Sequence, residues 1–247
     1  MKNKIGFWGY PNPEISKQII KEYPDVEWLD LDIDFGYADR HILPESYCKI
    51  IKNILNNAIE LKDELIKIVA PIGKDKCDSG WFVAKVLKDL GFDVVESIFE
   101  EIDNKKNPLI STSNMPLFDK VNVIMGNIAK FPEGCDEGVG LGDYVQCEAK
   151  FGFWGVPPND LEILKLFPDE THVYGWTRCT EMGVPADIET EMYVNSSVPT
   201  VFYAQAFCAK CQLAKYLADK YNGLYVDIDD VANNSIKTKI EAFLRLR

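Results

Sequence analysis

Two rhythms of apolar and polar positions take turns along this chain: short apolar runs that read as strands, and longer stretches with helical spacing. Residues 5–10 predict a strand, and residues 13–23 a helix with Asn12 at its N-cap and Pro13 in its first turn. Residues 26–33 set Trp28, Leu29, Leu31 and Ile33 among aspartates, as a partly exposed strand does. Residues 44–61 place Ile50, Ile51, Ile54, Leu55, Ala58 and Leu61 on one helical face, with Cys48 on that apolar side. Residues 65–72 are a nearly continuous apolar run, the mark of a central parallel strand. A helix over 81–90 is stopped by Gly91, and 93–98 is a further strand.

Beyond that point, residues 103–108 are polar and turn-forming, 121–125 predict a strand, and 132–142 form a glycine-rich loop. Strands are expected at 173–176, 199–207 and 224–228, with helices over 208–221 and 236–246. Alternation of this kind predicts an α/β fold, a mostly parallel sheet flanked by helices.

The pattern also repeats. Lys4-Ile5-Gly6-Phe7-Trp8-Gly9 returns as Lys150-Phe151-Gly152-Phe153-Trp154-Gly155. Each copy runs into Pro and Asn (Pro11-Asn12; Pro157-Pro158-Asn159) and later into Tyr23-Pro24-Asp25 or Phe167-Pro168-Asp169. A tryptophan inside the repeated block makes chance similarity a poor explanation. The sequence therefore predicts an internal duplication: two related α/β lobes, residues 1–146 and 147–247, with their loops around a shared cleft. In open α/β sheets ligands sit beyond the carboxyl ends of the strands, so the site is expected there.

Composition narrows the function. The chain has 247 residues and is 47% apolar, enough to bury a sizeable core. Asp and Glu outnumber Lys and Arg by 39 to 27, a net charge of -12, which argues against nucleic-acid and anionic-membrane partners. No run approaches the ~18 apolar residues of a membrane span, and the start leads directly into a strand, so a cytoplasmic protein is expected. In a reducing compartment seven cysteines point to metal, cluster or redox roles rather than a disulfide framework. His41 and His172 are the only histidines, so a metal site would rest on thiolates or carboxylates.

Cys208-Ala-Lys-Cys211 falls where a strand gives way to a helix, a place that favours thiolate, with Lys210 adding positive charge. Cys135 sits in the glycine-rich loop, Cys147 just before the second repeat, and Cys179 at a strand end. Cys208, Cys211, Cys179 and Cys147 are the first-choice ligands of an Fe–S cluster, or of zinc, at the interlobe cleft, with Cys135 and Cys77 in reserve. Plain packing of the cysteine pair at a helix start is the alternative.

The stretch over residues 199–229, a strand, CxxC, a helix and then Leu224-Tyr225-Val226-Asp227-Ile228-Asp229, resembles the opening of a thioredoxin or glutaredoxin domain. That resemblance implies thiol–disulfide exchange; the family's later hairpin with its cis-proline has no counterpart here. Residues 68–95, with Gly73-Lys-Asp75-Lys-Cys77-Asp-Ser-Gly80 and then Leu90-Gly91-Phe92-Asp93-Val94, resemble the cobalamin-binding domain of methylmalonyl-CoA-mutase-type proteins. The resemblance implies a flavodoxin-like fold and a corrinoid held by Gly73, Asp75 and Gly80. Cys77 stands where that family has its cobalt-ligating histidine, and a cysteine would bind cobalt only as thiolate. Cys77 also shares its loop position with Cys208 and Cys211.

Other patterns are weaker. Glu181, Asp187, Glu189 and Glu191 read as a solvated acidic loop, Asp30, Asp32 and Asp34 as the wet side of a strand, and Asp227, Asp229 and Asp230 as neighbours of a site. Trp8 and Trp154 are candidates to stack on a planar cofactor, one aromatic of each Phe-Trp pair being core and the other rimming the cleft. No GxGxxG or P-loop opens a helix, which disfavours the usual nucleotides. The expectation is a cysteine-ligated cofactor protein of redox or cofactor metabolism, acting on a small-molecule substrate or a protein redox partner. Corrinoid binding and CxxC oxidoreduction are the alternatives. A homodimer is compatible with the chain, though no apolar stripe demands one.

Overall fold

The computed structural model describes residues 2–72, 77–98, 106–129, 144–184 and 187–247. The chain divides into two compact units, residues 1–101 with 127–140, and residues 102–126 with 141–247.

The first unit runs β1 (Lys4–Phe7), α1 (Pro13–Glu22), β2 (Glu27–Asp30), α2 (Lys49–Glu60), β3 (Leu65–Ile72), α3 (Asp78–Asp89) and β4 (Val94–Ile98). Its sheet is parallel throughout, in the order β2-β1-β3-β4. The second unit runs α4 (Leu117–Ala129, of which residues up to 126 belong to it), β5 (Phe151–Trp154), a 3₁₀ segment (Leu161–Leu166), β6 (Thr171–Tyr174), α5 (Trp176–Glu181), α6 (Ile188–Met192), β7 (Thr200–Gln205), α7 (Lys210–Tyr221), β8 (Leu224–Ile228) and α8 (Asn234–Leu246). Its sheet is again parallel, in the order β6-β5-β7-β8. The α/β class and the two parallel, helix-flanked sheets agree with the alternation in the sequence. The two copies of the hexapeptide occupy the corresponding inner strand of each sheet.

Their shared glycine has a packing reason. A Cβ on Gly6 would meet Leu31 Cδ1 at 2.7 Å, and one on Gly152 would meet Tyr174 Cε2 at 2.7 Å and collide with the Thr200 side chain. Each glycine leaves room for a large side chain from beside its strand.

Tertiary packing redraws several local expectations. Residues 121–125, read as a strand, lie in α4: Leu117, Val121 and Ile124 are buried at helical spacing, with Lys120 fully buried between them. Leu117 and Val121 join the core of the second unit, with Phe153, Val173, Val201 and Ile240. The second unit thus takes in chain from before residue 146. Cys48 is not mid-helix; it is the buried residue at the N-cap of α2. The strand over 26–33 shortens to β2, and of the three aspartates only Asp34 is exposed: Asp30 is buried, and Asp32 Oδ2 accepts the Gly9 amide at 2.9 Å. Burial pushes both carboxyl groups above the usual carboxylate range. Among the described residues no helix is long and apolar enough to cross a membrane.

Candidate functional site

In each sheet the chain leaves one inner strand toward one edge and the other toward the opposite edge. Such a switch opens a crevice at the carboxyl ends of the two inner strands. In the second unit those strands are β5 and β7, and the loop after β7 carries Cys208. In the first they are β1 and β3, and Cys77 is the N-cap of α3, the next helix after β3.

The β7–α7 connection is tightly specified. Tyr203 Oη donates to Gln205 Oε1 at 2.8 Å, and the Gln205 amide donates to the Asp229 carbonyl at the end of β8. Phe207 then takes a left-handed backbone conformation (φ 61°) while 56% exposed. For a non-glycine residue that conformation costs about 1–3 kcal/mol. The Cys208 amide bonds the Gln205 carbonyl at 3.0 Å, and the Cys211 amide bonds the Cys208 carbonyl at 3.0 Å. This last bond closes a four-residue turn, which holds the terminal Cα atoms within about 7 Å. A disulfide spans Cα separations of about 4.4–6.8 Å. The turn therefore brings the two cysteines to bridging range.

Their electrostatics differ from the expectation. Burial pushes the Cys211 thiol up, although hydrogen bonds from the Tyr225 hydroxyl and the Cys208 backbone act in the opposite sense. Cys211 Sγ lies 3.2 Å from the Gln205 carbonyl, which accepts its proton. Lys210 is not a free charge beside the thiols. It pairs with Glu191, whose side chain is 3% exposed, and Trp154 Nε1 donates to the Glu191 carbonyl at 2.6 Å. The pair ties α6 to β5 and to the start of α7.

Within the second unit, Cys147 and Cys179 do not join the turn of Cys208 and Cys211. Trp8 and Trp154 are both buried, as are Phe7 and Phe153, so neither tryptophan rims a crevice with an open face. Cys179 lies within α5, fully buried, with its sulfur 3.8 Å from the Asp187 carbonyl. Cys147 lies beside His172 in the first half of β6, whereas Cys208 and Cys211 follow the carboxyl end of β7. Cys135, Asp75 and Gly73 fall outside the described residues. Cys77 is exposed, and an added Cβ on Gly80 would sit 4.0 Å from its sulfur and 3.8 Å from Trp8 Nε1, ordinary contact distances. Among the described residues no three His, Cys, Asp or Glu side chains gather as a metal-holding group. Of the expected ligand set, one local turn unites Cys208 and Cys211 alone. Two thiolates are half the donor set of a Cys₄ cluster or structural zinc site.

Of the acidic segment only Glu189 is exposed; Glu181 and Glu191 are buried. Glu181 accepts the amides of Leu109, Ile110 and Ser111 at 2.7, 2.6 and 3.0 Å, together with the Ser111 hydroxyl. Asp187 caps α6 by accepting the Thr190 amide at 2.8 Å. Tyr225 and Gln205 had no signal in the sequence as site residues, because the groups they meet there, Cys211 and the Asp229 carbonyl, come from other elements.

No family model matches this chain, and no curated protein does.

Proposed function

We propose that the chain is a thiol–disulfide exchange protein whose working pair is Cys208 and Cys211. The observation that carries this reading is the hydrogen-bonded turn from Cys208 to Cys211, which holds the two residues at the backbone separation of a disulfide beyond the carboxyl end of β7. Cys208 is the attacking sulfur. Cys211 is held as a thiol by burial and by its bond to the Gln205 carbonyl.

The Cys208 thiolate attacks a disulfide of a protein or small-molecule partner, and one partner sulfur leaves as thiolate and takes up a proton. Cys211 then loses its proton, with the Tyr225 hydroxyl donating to the sulfur as negative charge develops. It attacks Cys208 and releases the second partner thiol. The sum is one dithiol and one disulfide giving one disulfide and two thiols. Exposed Phe207, next to Cys208, offers apolar surface to the partner.

The deciding measurement is anaerobic purification with a visible spectrum and metal analysis, followed by equilibration in thiol–disulfide buffers with mass spectrometry of the 208–211 peptide. A colourless protein with a single two-electron couple is expected. Cys211→Ser should trap a mixed disulfide, and Cys208→Ser should form none. Stoichiometric iron with sulfide would instead establish the cluster reading, cobalt the corrinoid reading, and a dithiol that never bridges would leave packing as the role of the pair.

A further inference from the structure

Away from that site, the second unit brings three reactive groups together beside the first half of β6. Cys147 Sγ lies 3.8 Å from His172 Nε2. Lys120 Nζ is fully buried nearby, donating to the carbonyls of Asp169 and Thr171 at 2.8 and 2.6 Å. Around the pair stand three carbonyl oxygens. Ser113 O is 3.2 Å and Thr112 O 3.8 Å from Cys147 Sγ, and the Cys147 carbonyl is 3.1 Å from His172 Nε2. The imidazole also hydrogen-bonds the Thr112 backbone. The loop that supplies Thr112 and Ser113 is fixed by the buried Glu181 carboxylate, so these distances are set by a rigid support.

We propose that Cys147 and His172 form a second thiol centre, in which His172 is the base and Cys147 is oxidised to a sulfenic acid by a hydroperoxide. The ring tautomer protonated at Nε2 donates to the Cys147 carbonyl; the tautomer protonated at Nδ1 leaves the Nε2 lone pair open to the sulfur 3.8 Å away, and this is the form that acts as the base. The ring takes the thiol proton at Nε2, and the imidazolium so formed is held by the Cys147 and Thr112 carbonyls. The thiolate attacks the near oxygen of the hydroperoxide and forms the S–O bond as the O–O bond breaks. The leaving oxygen takes the proton back from His172 and departs as water or an alcohol. Sulfur is oxidised by two electrons and the peroxide reduced by two, and no other reactant is needed. The sulfenic O–H has the Ser113 carbonyl as its acceptor.

Burial, together with the positive charges of Lys120 and Arg178, keeps the ring below its ordinary pKa of 6.5, so the base is neutral at pH 7. Half-buried Cys147 admits a small peroxide, whereas Cys48 and Cys179 are buried. Cys77 is exposed and supplies the internal comparison.

The test treats the reduced full chain with equimolar hydrogen peroxide, traps sulfenic acid with dimedone, and measures the adduct at each cysteine by peptide mass spectrometry. Cys147 should label at least about tenfold faster than Cys77, and His172→Gln should remove that advantage. In the unaltered protein the Cys147 rate should rise with pH through a midpoint below 6.5 and then level off. This profile decides the matter even if His172→Gln does not fold. Labelling at the Cys77 rate, an undiminished rate in folded His172→Gln, or a profile that follows free thiol ionisation near 8.5 would each overturn the proposal. None of these outcomes depends on Cys208 or Cys211.

Discussion

Two glycines that look alike in the sequence do opposite work in the structure. Gly152 stands inside β5 against Thr200 and Tyr174, so Gly152→Ala overpacks the centre of a sheet and should lower stability by about 1–3 kcal/mol. Gly80 sits in the first turn of α3 with only ordinary contacts waiting for a Cβ. Gly80→Ala should therefore raise stability by about 0.5–1 kcal/mol, through the lower entropy of the unfolded chain. Urea denaturation of both variants reads the two signs, and a destabilised Gly80→Ala would show that the first turn of α3 needs a bare backbone. The aspartates at the end of β2 and just beyond it carry the same lesson. Asp30 and Asp32 alternate like a solvent face, yet one is buried and the other is spent on the Gly9 amide. Alternation reports which positions share a face, and only the packing says which face is wet.

Among elements, the segment of residues 109–113 owes its shape to a side chain seventy positions away. Three consecutive backbone N–H groups, of Leu109, Ile110 and Ser111, converge on Glu181 in α5. A buried N–H without a partner costs about 1–3 kcal/mol, so Glu181→Ala should cost several kcal/mol. Glu181→Gln keeps an acceptor oxygen and should cost less. Equal losses for the two variants in urea titrations would show that the bonds are not what the carboxylate contributes. The strand expected at residues 121–125 failed for a related reason. Its apolar run is short, and short apolar runs do not separate strand from helix. The deciding contacts, Leu117 and Val121 against β5 and β7 side chains, come from outside the window.

For the whole molecule, the unit boundary has a consequence that the repeat alone would miss. The second unit includes residues 102–126, which bring the apolar face of α4, the 109–113 loop and Lys120. A fragment of residues 147–247 lacks these, leaves Glu181 without its donors and uncovers part of its core. It should be unfolded by circular dichroism and disperse poorly by NMR, whereas residues 106–247 should fold. A folded 147–247 fragment would show that the repeat is self-sufficient.

The sequence by itself determined the α/β class, the alternation of most strands and helices, the repeated inner strand and the placing of Cys208 after a strand. These follow from short-range facts: period, turn residues and apolar runs. Only the tertiary structure decided that Val121 is helical, that Glu181 and Glu191 are buried, that Lys210 pairs with Glu191, and that Cys147 meets His172 while Cys179 faces a carbonyl. Each of these depends on a partner far along the chain. A carboxylate's ionisation, a thiol's partner and a lysine's charge are properties of the neighbours that folding supplies, and the linear pattern does not contain them.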